Sequence, residues 1–148
     1  MSFAVASADP QEPETTPEPI SQQWWPDLDL ELARKVVRLN GTVTNDRLRE
    51  ALQNAAYSVN DELQAWSLTQ RDANPENLPS GRETDLYLRA VHFYVKAELA
   101  ERYRDFDTTG AGDRRADDQE AIADSARRNM RWAIRDLLGL PRMTIEAL

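Results

Sequence analysis

His92 is the single histidine of the chain, so general-base or triad chemistry would have to run through it. It stands in the run Val91-His92-Phe93-Tyr94, inside a helical stretch, and no nucleophile is paired to it by spacing. A packed or half-exposed histidine accounts for it better than a catalytic one. Asp61-Glu62 and Asp117-Asp118 could hold a divalent metal or act as an acid–base pair. In a chain with 26 acidic residues such neighbours arise readily on solvent faces, and that reading is preferred. Gly110-Ala-Gly112-Asp113 superficially suggests a phosphate loop, but it lacks the GxxxxGK[ST] pattern and follows no strand. It reads as an interhelical connection. With no cysteine, neither a thiolate zinc site nor a disulfide framework is available. No catalytic, cofactor or metal residue is assigned.

Two sets of residues could instead serve binding. Arg127, Arg131 and Arg135 recur every four residues beside Arg128 and share one helical face. This basic stripe could meet DNA phosphates or an acidic surface on a neighbouring subunit. Asp124 and Asp136 lie close enough to make an ordinary salt-bridged face the alternative. Four tryptophans are many for this length. Two are expected to fill core, while Trp24-Trp25 could anchor an arm or meet a partner, with the core reading ahead.

The elements that must position these residues are helical. Residues 1–23 hold Pro10, Pro13, Pro17 and Pro19, four acids and no base. They cannot bury enough apolar surface to offset their ordering entropy, so a disordered arm is expected. Structure is expected from Trp24, with Asp27 or Asp29 capping a short helix whose apolar stripe is Leu28, Leu32, Val36 and Leu39. Asn40-Gly41 should end it. Thr44 then caps a long helix in which Leu48, Leu52, Ala55, Val59, Leu63 and Trp66 keep the helical period. Asn74-Pro75 and Leu78-Pro79-Ser80-Gly81 break the chain.

A third helix over about 83–105 shows Leu86, Ala90, Val91, Tyr94, Ala97 and Tyr103 on one side. Leu88, Val95 and Leu99 hint at a second apolar face, as suits the centre of a bundle or a helix shared with a neighbouring subunit. After a loop over 108–113, a fourth helix from about Ala116 to Leu138 turns Ile122, Ala126, Met130, Ala133, Ile134 and Leu137 inward. Gly139 and Pro141 stop it. The expected fold is all-α: a small four-helix bundle over 24–141, with the arm before it and an extended tail over 142–148.

Composition narrows the functions. The 148 residues suffice for one domain, and 41% of them are hydrophobic, enough for a core. A net charge of −8 argues against nonspecific attachment to DNA or anionic membrane, which needs a surplus of Lys and Arg. No apolar run approaches the roughly 20 residues that span a bilayer, and the short apolar stretch Phe3–Ala6 lacks the basic flank of a signal peptide.

Five short segments, in order, resemble one family. They are Trp25-Pro-Asp-Leu-Asp29, Thr42-Val-Thr-Asn-Asp-Arg-Leu-Arg-Glu-Ala-Leu52, Glu101-Arg-Tyr-Arg104 with Gly112-Asp-Arg-Arg-Ala-Asp117, Met130-Arg-Trp-Ala-Ile134 and Gly139-Leu-Pro-Arg142. The chain resembles the head completion (head stabilisation) proteins, the L proteins, of temperate contractile-tailed phages of enteric bacteria. The resemblance implies a non-enzymatic, all-helical head–tail adaptor of the virion, assembled in the host cytoplasm. It implies a ring, expected twelvefold, beneath the portal after DNA packaging. That ring retains the genome and presents a surface to a head–tail joining or tail terminator protein. DNA would pass through without sequence-specific binding.

Met143, Thr144, Ile145, Glu146, Ala147 and Leu148 alternate loosely in a tail with no helical continuation. An extended segment can add to an exposed strand edge of a partner, and the family role makes the portal the expected acceptor. The competing reading is a small helical DNA-binding protein of phage packaging or regulation. The helices carry too many acids for an obvious recognition helix.

Overall fold

The computed structural model describes residues 16–39, 43–106 and 110–142, with the side chains of 103–106 and 110–116 left aside. The described part is all-α, with five helices: α1 Leu30–Val37, α2 Asn45–Glu62, α3 Gln64–Ala73, α4 Arg82–Phe106 and α5 Gly110–Leu138. Its only strand-like pairing is an isolated antiparallel bridge between Ile20 and Leu28, closed by N–H···O contacts of 2.8 and 2.9 Å.

That bridge changes the phase of α1. Leu28 is extended and outside the helix, and the Asp29 side chain caps α1 by accepting from Leu32 N at 3.0 Å. A helix starting at Leu30 buries the face Leu30, Ala33 and Val37. The expected stripe is therefore corrected: Leu32 and Val36 are 44% and 49% exposed. The helix also ends sooner than Asn40-Gly41. Arg38 adopts a left-handed conformation, φ 56°, and Leu39 N donates back to Arg34 O at 3.1 Å, a Schellman-type end.

Thr44 caps α2, accepting from Arg47 N at 3.3 Å. Leu48, Ala51, Leu52, Ala55, Ala56 and Val59 are buried along it. The single long helix expected to Trp66 is broken at Leu63, whose backbone sits at φ −96°, ψ 9°. The hydrogen-bond ladder nevertheless runs across the break, from Leu63 N to Val59 O and from Ser67 N to Leu63 O. Ser67 Oγ donates back to Gln64 O at 2.7 Å, a bond that bends helices. The bend lets Trp66 reach the aromatic cluster described below.

α4 is the central element. One side packs on α1 and α2, and the other shares the longest interface of the fold with α5. Tyr87, Ala90, Val91, Val95, Ala97, Leu99 and Ala100 are buried along it. Of its expected second apolar face, Val95 and Leu99 are buried within the chain and Leu88 is half-buried. α5 begins at Gly110, so the segment read as a loop over 108–113 is helical from Gly110 onward, and no phosphate loop forms there. Ala123 is buried in place of Ile122, which is 38% exposed. The other expected inward residues, Ala126, Met130, Ala133, Ile134 and Leu137, are buried. Three of the six positions on this inward face are Ala, small enough to allow close approach to α4. Gly139, at φ 69°, ends the helix as expected.

Candidate docking surfaces

The N-terminal strap is built from amides and rings. The backbone before Trp24, read as arm from its composition, is tied down over its described part. Arg49 Nη2 donates to Glu18 O at 2.6 Å. Gln22 gives Nε2 to Pro26 O at 2.8 Å and to the Tyr87 hydroxyl at 3.1 Å. Its carbonyl accepts from Asn60 Nδ2 at 3.0 Å. The Tyr87 hydroxyl donates to Asn60 Oδ1 at 2.7 Å, and burial pushes its pKa up to about 12. Trp25 stacks on Tyr87 at 4.6 Å between centroids and lies 6.2 Å from Trp66, with Trp24 edge-on at 4.9 Å. Trp24 Nε1 donates to Asn74 O at 2.8 Å, and Leu78 N to Trp24 O at 2.9 Å. Both tryptophans are buried, so they join the strap to the body and the core reading of the pair holds.

His92 is also buried, and its Nε2 has no hydrogen-bond partner. Burial lowers its pKa, which makes it a neutral core side chain at neutral pH. Asp61, Glu62, Asp117 and Asp118 are exposed. No group of acidic and histidine side chains able to hold a metal occurs among the described residues. No described helix is long and apolar enough to cross a membrane.

The C-terminal half of α5 is different. Arg127 donates Nε to Glu101 Oε1 of α4 at 3.1 Å and is ion-paired with the same carboxylate. Arg131 is exposed. Arg135 Nε donates to Pro141 O at 2.6 Å. The three share α5 but are used differently. Trp132 lies two residues from both Met130 and Ile134 of the buried face. At about 100° per residue it therefore points well away from α4. It is only half-buried, and the guanidinium groups of Arg128 and Arg142 lie over its ring, 5.3 and 5.0 Å from the centroid. Arg142 also grips Asp136 through Nε and Nη2, at 3.2 and 2.7 Å. That bond, with the weaker fields of Arg82 and Arg89, holds the Asp136 carboxyl below the usual range. Residues 139–142 are thereby folded back on α5. Sequence reading missed this cluster, although Arg128 and Trp132 stand at the i,i+4 spacing that could have flagged it. The proposed tail, Met143 to Leu148, lies outside the described residues.

The family model for the phage head completion protein (GPL) matches residues 20–148. The chain belongs to the phage head completion protein family. It is 32% identical over 134 residues to the head completion/stabilization protein of Escherichia phage P2, covering 84% of this chain and 79% of that protein. No solved structure matches. Membership makes this head completion protein a structural component of phage head assembly. The family match begins at Ile20 of the strap, upstream of Trp24.

Proposed function

We propose that this head completion protein is a head–tail connector of the virion that acts without catalysis. It forms a ring, expected twelvefold, beneath the portal after packaging, retains the genome and offers the surface to which a head–tail joining or tail terminator protein attaches. The observation that carries the reading is the family match across residues 20–148. The fold supports it in one respect: α4 packs against α1, α2 and α5 within the chain, so the body has a core of its own. A subunit that folds alone and closes into a ring only on its template suits a part added last.

In this reading residues 24–141 are the adaptor body, 1–23 an arm whose described part is strapped onto that body, and 142–148 a tail that grips the portal. The folded-back segment 139–142 fixes where that tail starts, which lowers the ordering cost of docking. Of the basic stripe, Arg127 is ion-paired with Glu101 and Arg135 is bonded to Pro141 O, and Arg131, exposed, is assigned to a subunit or DNA contact. The deciding experiment is particle mass with and without portal. The isolated protein should be monomeric or weakly associated and should close into a ring on portal. A stable ring of a number unrelated to portal symmetry overturns the reading. Deleting Met143 to Leu148 should abolish docking with helical circular dichroism unchanged, and retained docking would assign the grip to the body.

A further inference from the structure

α5 is electrically divided. Residues 117–124 carry Asp117, Asp118, Glu120 and Asp124 and no base, whereas residues 125–142 carry five arginines and one acid, Asp136. Asp117 and Asp118 lie far enough from the arginines to act separately, whereas Asp124 does not. From Asp118 to Arg131 the helix rises about 20 Å, roughly twice the Debye length at moderate salt. In a chain of net charge −8, the end of α5 is thus a local cationic surface. Three of its arginines are already committed in part: Arg127 to Glu101, Arg135 to Pro141 O and Arg142 to Asp136. Arg128 and Arg131 are exposed and make no ion pair among the described residues, and Arg128 is held over the Trp132 ring.

We propose that this surface, with Arg128 and Arg131 as the contacts and Arg142 beside them, binds the phosphate backbone of duplex DNA. The occupant rests on the reading that the packaged genome passes this protein. What favours DNA over an acidic protein is energetic. Every cation here is arginine, whose planar fork suits phosphate oxygens and carboxylates alike, and Leu138 and Leu140 are exposed nearby. A second copy's acidic half has the right sign, but exposed ion pairs contribute only about 0–1 kcal/mol each. Phosphate contacts add the release of condensed counterions.

Trp132 and Asp136 are positioning residues: the ring holds Arg128 and Arg142 over it, and the carboxylate fixes Arg142. Three acids oppose the surface. Asp124 precedes Arg128 by one helical turn, and Glu83 and Asp85 of α4 flank Arg82 and Arg89, whose fields reach Asp136. Binding is therefore weak, salt-sensitive and blind to sequence, as a genome that must later leave requires.

The test uses the full-length protein and a fluorescently labelled DNA duplex, with anisotropy followed across a salt series. The logarithm of affinity should fall against the logarithm of salt with a slope of about −0.9 per phosphate contact, so roughly −2 to −3 here. Arg128→Gln and Arg131→Gln should each lower the slope by about 0.9. Asp124→Asn should strengthen binding, and Arg34→Gln on α1 should leave it unchanged. Circular dichroism checks that each variant folds. The proposal is overturned by absence of binding at low salt, by binding indifferent to Arg128 and Arg131, or by capture of polyglutamate in place of DNA. Portal docking of the same variants separates the two readings. Lost docking with intact DNA binding strikes at the connector alone, and intact docking without DNA binding in the parent chain strikes at this surface alone.

Discussion

Arg142 holds Asp136 by two guanidinium nitrogens, at 3.2 and 2.7 Å, across the end of the last helix. The pair is a clasp on the chain leaving α5, and its strength depends on the carboxylate staying ionised. Because Arg142 lowers the pKa of Asp136, the contribution is complete above the ordinary carboxylate range and is lost as pH falls through the depressed value. Acidification should therefore release Arg142 from Trp132. Asp136→Asn should do so at neutral pH, with little change in overall stability since the site is exposed. Tryptophan emission of the parent, compared with a Trp132→Leu control, reads the release. Emission that is flat through the acid range in the parent, and unaltered by Asp136→Asn, would argue against the clasp.

The lone histidine gives a second pH dependence of the same sense in a higher pH window. Burial holds His92 below its ordinary 6.5, so the unfolded chain takes up the proton first. Stability is constant above that value and declines as pH falls from 6.5 toward the folded pKa. His92→Leu should flatten the melting temperature across that window. A parent whose melting temperature does not vary there excludes a buried neutral histidine.

Tyr87→Phe removes the hydroxyl that joins Gln22 to Asn60 and leaves both amides short of a partner. The expected loss is about 1–3 kcal/mol in urea unfolding. Deleting residues 1–22 should cost at least as much, because it removes Gln22 and the Ile20–Leu28 bridge together. Equal stability of the parent and this truncation would mean the strap is ornamental.

Arg38 stands at φ 56°, where a side chain costs about 1–2 kcal/mol and glycine almost nothing. Arg38→Gly should raise stability by up to about 1 kcal/mol, seen as a higher denaturation midpoint. A lower midpoint would show that the arginine side chain contributes more than its backbone costs.

The helices were legible because the apolar period in α2, α4 and α5 is written in the residues themselves. Phase was less so. In α1 the stripe Leu28–Leu32–Val36 fits a helix that begins one residue too early; the bridge to Ile20 removes Leu28 from the count and turns the helix. The bend at Leu63 carries no proline or glycine, and only the distant Trp25 explains why Trp66 must turn aside. Gln22 looked like part of an acidic arm because its partners, Asn60 and Tyr87, lie 38 and 65 residues away. The basic stripe was drawn by spacing alone, and tertiary neighbours then divided it: Glu101 took Arg127 and Pro141 took Arg135. Arg128 is held by Trp132, a residue of its own helix, which made that pair the most readable part of the surface.

The strap has a bearing on synthesis. Gln22 and Trp25 leave the ribosome early, yet the groups that receive them are not made until Tyr87 has emerged and α4 can pack on α2. Contacts so far apart in sequence close late, after the loops between them have been drawn together. These early-translated residues are thus among the last to be seated. Until then the buried faces of Trp24 and Trp25 are open to other chains, the stage at which crowding newly made subunits invites misassembly.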